Sequence, residues 1–155
     1  MSTIVRARTE HIDLIAQLMA RSPLLRRYRV TARGAIANLA EALRERDIVL
    51  AAVDGDAVLG FAWVILARAL DRSAYLRLLL VAETHQSRGL GAALLARAER
   101  EARASRCRHL VLLVTKTNRR ARSFYERHGY AHVGDLAGFV RPVIAESLYL
   151  KSWRT

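Results

Sequence analysis

Cysteine is nearly missing from this chain: Cys107 is the single one among 155 residues. A disulfide framework needs pairs and a thiolate metal cluster needs several ligands, so neither organises this fold, and no metal is expected. Cys107 itself, near a strand start, reads as a small buried apolar residue. Long apolar runs are lacking too. None reaches the roughly 18 residues of a membrane span, so no membrane partner is expected. Residues 1–19, MSTIVRARTEHIDLIAQLM, lack the unbroken apolar block and cleavage site of a secretory signal, and the expected location is the cytoplasm. Repeats, low-complexity tracts and linkers are absent, so residues 1–155 read as one domain large enough to bury its own core.

Lysine is scarce, 2 against 24 arginines, and acidic residues number only 14, for a net charge of +12. Such a balance attracts polyanions, or it reflects arginine used as a helix former on solvated faces. The first 80 residues hold 12 basic and 8 acidic side chains and the remaining 75 hold 14 and 6, so the excess leans to the second half. A nucleic-acid surface calls for an arginine stripe with exposed aromatics. Only Tyr28, among Arg26, Arg27 and Arg29, fits that description, and nucleic acid is not the expected partner.

Periodicity then orders the chain. Residues 4–8 alternate as an edge strand. Thr9 is placed to cap a helix over 10–21, with Ile12, Ile15 and Met19 beside Leu14 and Leu18 at helical spacing, and Pro23 ends it. Residues 24–30, LLRRYRV, read as a basic and aromatic connector. Thr31 caps a second helix over 32–46 with Ile36, Leu39, Ala40 and Leu43 inward. Strands at 48–53, 57–67 and 75–81 form an antiparallel meander whose first turn is Asp54-Gly55-Asp56. A helix from Gly89 to about residue 104 leads to a strand at 108–114, and a unit of that length implies a parallel, right-handed crossover. Residues 118–128 form a helix with Ala121, Phe124, Tyr125 and His128 on one face, stopped by Gly129. Strands at 130–133 and 146–151 flank a loop over 134–143. The expected fold is α+β, with a mixed, mostly antiparallel central sheet of about seven strands and about four helices.

The stretch 75–103 carries the first chemical signal. An apolar strand crosses a polar turn, Glu83-Thr84-His85-Gln86-Ser87-Arg88, and enters Gly89-Leu90-Gly91-Ala92 at a helix start. Unpaired N–H groups and the helix dipole favour an anion there, and glycine lets a phosphate approach the backbone. The turn lacks the Gly-Lys-Ser/Thr of a metal-nucleoside triphosphate site.

Gln86-Ser87-Arg88-Gly89-Leu90-Gly91-Ala92 fits the Q/R-x-x-G-x-G/A signature of the GNAT family of N-acetyltransferases, and Asn118-x-x-Ala121-x-x-Phe124-Tyr125-x-x-x-Gly129-Tyr130 fits that family's second motif. Both occur in the right order and context, and the chain resembles the family over nearly its whole length. The resemblance implies the acyl-CoA N-acyltransferase fold, an α/β/α arrangement whose sheet splays between strands 4 and 5, with acetyl-CoA in the gap as cosubstrate. It implies that the pyrophosphate meets N–H groups of Arg88, Gly89, Leu90, Gly91 and Ala92, helped by Gln86 and Ser87. Backbone groups at Leu80 and Val81 would meet the pantetheine and polarise the thioester carbonyl, with Asn118 and Ala121 lining the arm. Tyr125 would protonate the departing thiolate, for which a phenol with an ordinary pKa near 10 keeps its proton at neutral pH.

A general base must still deprotonate the acceptor ammonium. Glu83 and His85, just beyond the strand that presents the thioester, are the candidates, against the plainer reading of a solvated turn. His109, His128 and His132 read as packing or surface residues. The acceptor, a small-molecule or peptide amine, should enter over residues 23–30 and 134–143, where Arg26, Tyr28 and Arg29 are the candidate contacts. A polyamine or aminoglycoside acceptor would want carboxylates on that connector, which has none, so both are disfavoured. The arginines fit an acidic acceptor or are simply solvated. The expected activity is transfer of acetyl to a primary amine by direct attack in a ternary complex. Its rivals are acetylation of a protein N-terminus or aminoacyl-tRNA amine, and a non-catalytic binding module. Homodimerisation is common in the family and stays open.

Overall fold

Alternation in the central strands sets the architecture. In β2 (Ile48–Asp54), Ile48, Leu50 and Ala52 join one core cluster and Val49 and Ala51 the other, and all five are buried. A strand buried on both faces needs helices on both faces. The computed structural model, which describes residues 1–154, supplies them. Helices α1 (Ile12–Arg21) and α3 (Ala32–Arg44) cover one face, and α4 (Leu90–Ala104) and α5 (Arg119–Arg127) cover the other. Among the described residues, no helix is long and apolar enough to cross a membrane.

The remaining strands are β1 (Thr3–Arg6), β3 (Ala57–Leu66), β4 (Ala74–Val81), β5 (His109–Thr115), β6 (Ala131–Ala137) and β7 (Ala145–Ser152). They form one seven-stranded sheet in the order β1-β2-β3-β4-β5-β7-β6. The β2-β3-β4 meander is antiparallel and β4 pairs with β5 in parallel across the α4 crossover, as the sequence leads one to expect. Strand β7 slips between β5 and β6, so the polar AHVGDLA segment takes the edge and the more apolar β7 is covered on both sides.

Several local expectations are corrected. Thr9 does not cap the first helix: residues Thr9–His11 make a 3-10 turn, and His11 Nδ1 accepts from the Arg8 N–H at 2.9 Å. Pro23 does end α1, but it also starts α2 (Pro23–Arg27), where its missing N–H costs nothing and Ser22 Oγ accepts from the Leu25 N–H. The connector is therefore helical, which brings the α-helices to five. Thr31 caps α3 through the Gly34 N–H, and Leu39, Ala40 and Leu43 pack inward with Ala35 and Ala42, but Ile36 is turned to solvent. The 134–143 loop is shorter than expected because β6 continues through a bulge at His132–Gly134 to Ala137.

One irregularity positions the site. Strand β4 pairs with β5 only at Ala74, Tyr75 and Leu76, and residues 77–81 have no neighbour on that side. The register against β3 shifts at the same place: Val64 faces Leu76 and Trp63 faces Leu78, so Arg77 is an extra residue. Such a bulge bends its strand and resets the alternation. Leu76 packs with the α4–α5 core, whereas Leu78 and Leu80 turn to the α1–α3 core. The bulge thus opens a V between β4 and β5, and β5 stays with β7 through Thr115.

Candidate active site

The V opens into a cavity of about 520 Å³. Its walls come from the diverging ends of β4 and β5, from the start of α5, from α2 and its exit, from α3, and from the β6–β7 loop. Tyr28, Tyr125 and Glu146 are among the side chains that line it.

Tyr125 is 8% exposed and lines the cavity with Asn118 and Ala121 of the same motif. Helical spacing puts all three on the face that α5 turns to the sheet, and the Asn118 side chain also caps the helix by accepting from the Ala121 N–H at 3.1 Å. Burial alone acts on the Tyr125 phenol and pushes its pKa well above the ordinary value, so the group holds its proton throughout the neutral range. The ring packs edge-on against Phe124 and Tyr130, which fixes where its oxygen lies.

Glu146, the second residue of β7, lines the same cavity and is only 3% exposed. A buried carboxylate needs donors. The Tyr28 hydroxyl donates to Glu146 Oε1, and Tyr28 Oη lies 2.6 Å from Thr115 Oγ1. A phenol has one proton, and the carboxylate can only accept, so Thr115 donates to Tyr28 and Tyr28 donates to Glu146. Burial and that bond to Glu146 push the Tyr28 pKa up to about 12. Tyr75, also on the wall, has its pKa raised chiefly by burial. Glu146, Thr115 and Tyr75 escaped the sequence reading. The signal for Glu146 was a carboxylate inside an otherwise apolar strand, and it stood nowhere near the motifs.

The three candidate acceptor contacts are placed differently. Tyr28 and Arg29 line the cavity, while Arg26 turns back to donate to the Ala20 carbonyl at 3.1 Å. Arg141, from the β6–β7 loop, joins them and donates to the Tyr28 carbonyl at 2.7 Å. Contrary to the expected wall without a carboxylate, Glu146 is one. Glu83 and His85 sit in a 3-10 turn after β4, where His85 Nδ1 shares a 2.8 Å hydrogen bond with Thr84, and neither lines the cavity.

At the α4 start, Ser87 and Gly89 are both left-handed, at φ 62° and 81°. No side chain caps α4, no acid occupies its first turn, and no atom comes within 4 Å of where a Gly89 Cβ would stand. By contrast Thr31 and Asn118 cap α3 and α5, so α4 alone of the three leaves its N–H groups open. This is a fit for an anion without any protein group in its place. The turn is held from behind. Gln86 Nε2 donates to the Val81 carbonyl at 3.1 Å, and Arg120 of α5 donates to Gln86 Oε1 at 3.0 Å and to Ser87 Oγ at 2.7 Å. Gln86 and Ser87 therefore brace the cradle with their side chains, tying together the two motif segments.

A sequence model of the acetyltransferase (GNAT) family matches residues 15–130. No curated protein matches the chain in sequence. Solved structures of similar fold include an N-acetyltransferase from Staphylococcus aureus, at TM-score 0.82 and 19% identity with 98% of each chain covered. The PaiA N-acetyltransferase from Thermoplasma acidophilum in complex with coenzyme A gives TM-score 0.78 and 16% identity, with 99% of each chain covered. The ribosomal-protein-alanine N-acetyltransferase from Brucella melitensis gives 0.79 and 19%, covering 97% of this chain and 99% of its own. At these identities the likeness is one of fold.

Proposed function

The chain belongs to the acetyltransferase (GNAT) family, and on that premise we propose that it transfers the acetyl group of acetyl-CoA to a primary amine by direct attack in a ternary complex. The observation that carries the reading is that one cavity joins the β4–β5 notch, the Tyr125 phenol and the Glu146 carboxylate, next to an uncapped helix start. A module that only bound an acyl carrier would need neither a buried phenol nor a buried acid in that cavity.

Acetyl-CoA, when bound, supplies the acetyl group as an activated thioester. The N–H groups of Arg88, Gly89, Leu90, Gly91 and Ala92 receive its pyrophosphate, with the dipole of α4 behind them. The unpaired edge of β4 out to Leu80 and Val81 orients the pantetheine arm, and N–H groups aimed there stabilise negative charge on the thioester oxygen. Asn118 and Ala121 line the same arm.

Glu146 receives the acceptor ammonium and takes the proton that must leave before nitrogen can attack; this role passes to it from Glu83 and His85, which lie off the cavity. Tyr28 and Thr115 hold the carboxylate in place. As the C–N bond forms and the C–S bond breaks, nitrogen sheds two protons overall. One goes by way of Glu146 to solvent, and the other ends on sulfur, delivered by Tyr125 and returned to it from the nitrogen side.

The test is free-thiol release from acetyl-CoA in the presence of a panel of primary amines, with acetyl-CoA binding measured separately by calorimetry. Amine-dependent release is expected. Tight binding of acetyl-CoA with no release from any amine, aminoacyl-tRNA and peptide N-termini included, would leave only the binding-module reading.

A further inference from the structure

Resting on that reading of the site, we infer that the acceptor is a small amine that also carries an anionic group, carboxylate or phosphate, which docks on Arg141 and Arg29 while its ammonium sits on Glu146.

Tyr28 sets the spacing. Its hydroxyl reaches Glu146, and its own carbonyl accepts from Arg141, so the carboxylate and that guanidinium stand at the two ends of one tyrosine residue. Both line the same cavity. Arg141 spends one Nη2 donor on the carbonyl, and the rest of its planar fork is left to match an oxyanion. A single carboxylate at the inner end and cations at the outer end make a complementary field for a molecule with the opposite polarity along its length.

Arg29 is the second observation. The exit of α2 is a six-residue C-terminal motif in which the Val30 N–H returns to the Leu25 carbonyl at 3.1 Å and the Arg29 N–H to the Arg26 carbonyl at 2.9 Å. Glycine is the usual residue at the left-handed position of that motif, because a side chain there is strained. Here the position is Arg29, at φ 60°, and its side chain lines the cavity. Arg46 and Arg106 hold the same left-handed position after α3 and α4, and of the three Arg29 is the one on this cavity wall. Arg77, stacked 4.2 Å over the Trp63 ring, adds a third cation to the same wall. A polycationic acceptor would meet three arginines there and is disfavoured.

The acceptor class can be read from rates with acetyl-CoA and three sets of probes of matched length: linear ω-amino acids, aminoalkyl phosphates, and uncharged alkylamines with their diamines. The anionic probes should show kcat/KM at least about tenfold above the alkylamines, and the better of the two anionic sets tells carboxylate from phosphate. Arg141→Gln should collapse that preference through KM. Because Arg141 also holds Tyr28, Arg29→Gly is the companion variant: it relieves the left-handed strain, so its thermal midpoint should not fall while the preference for anionic probes drops several-fold. Equal rates for charged and uncharged probes, or an anionic preference that survives both variants, overturns the inference and leaves the N-acetyltransferase reading intact. No acetylation of any probe, with acetyl-CoA bound, overturns this inference, and the N-acetyltransferase reading falls with it only when peptide N-termini and aminoacyl-tRNA are inert as well.

Discussion

The Tyr28 hydroxyl and the Glu146 carboxylate share a hydrogen bond across 118 residues of chain, joining the exit of α2 to the start of β7 at the cavity wall. The bond gives the carboxylate a fixed direction, and it makes Tyr28 a sensor of alkaline pH. The Tyr28 pKa is raised from 10 to about 12 in the folded protein, so the neutral phenol is the form that folding favours. Its contribution to stability is fully present below pH 10 and is lost as pH rises from about 10 to about 12, because only the unfolded chain ionises in that window. The thermal midpoint of the native protein should therefore fall more between pH 9 and pH 11.5 than that of Tyr28→Phe. Parallel curves for the two proteins would show that the bond does not hold the proton as described.

Tyr125→Phe keeps the edge-on packing with Phe124 and Tyr130 and removes only the oxygen. If the phenol protonates the leaving sulfur, kcat should fall by about 10²-fold or more, with acetyl-CoA affinity unchanged by calorimetry. Native turnover in this variant would remove Tyr125 from the chemistry.

Gly89 has two reasons to be glycine. Its φ of 81° strains any side chain, and Gly89→Ala should lower stability by about 1–2 kcal/mol in denaturant titration. Gly89→Glu adds a negative charge at the uncapped start of α4 and should abolish measurable binding of acetyl-CoA. Normal affinity in the Glu variant would mean that the phosphates lie elsewhere.

Gly60, on β3, guards the other end of the site. An alanine Cβ there would stand 2.8 Å from the Leu80 carbonyl oxygen and 3.3 Å from the Val81 Cα, distances that force β4 to move. Gly60→Ala should cost about 1–3 kcal/mol and weaken acetyl-CoA binding together, since the displaced segment is the free edge of the notch. Gly134→Ala, with nothing within 4 Å of the new methyl, should do neither and serves as the control.

The sequence alone determined what local physics controls. Apolar alternation set the strands, 3.6-residue spacing set α1, α3, α4 and α5, and Thr31 was legible as a cap because a cap acts within three residues of itself. The glycine turn at the start of α4 was legible for the same reason, as was the helix that carries Tyr125. The short α2 was missed because Pro23 works equally as a stop and a start, and only the Ser22 cap tells which. Tertiary structure decided the rest. That β7 lies between β5 and β6, that the bulge at Arg77 pries β4 from β5, and that Glu146 meets Tyr28 and Thr115 are all pairings between distant segments. Such pairings are chosen by which faces can be buried together, and no periodicity in one segment records the partner it will find. The cradle and Tyr125 lie on consecutive motifs within single segments, whereas the wall of Tyr28, Thr115, Arg141 and Glu146 is assembled from four separate elements and had to be seen folded.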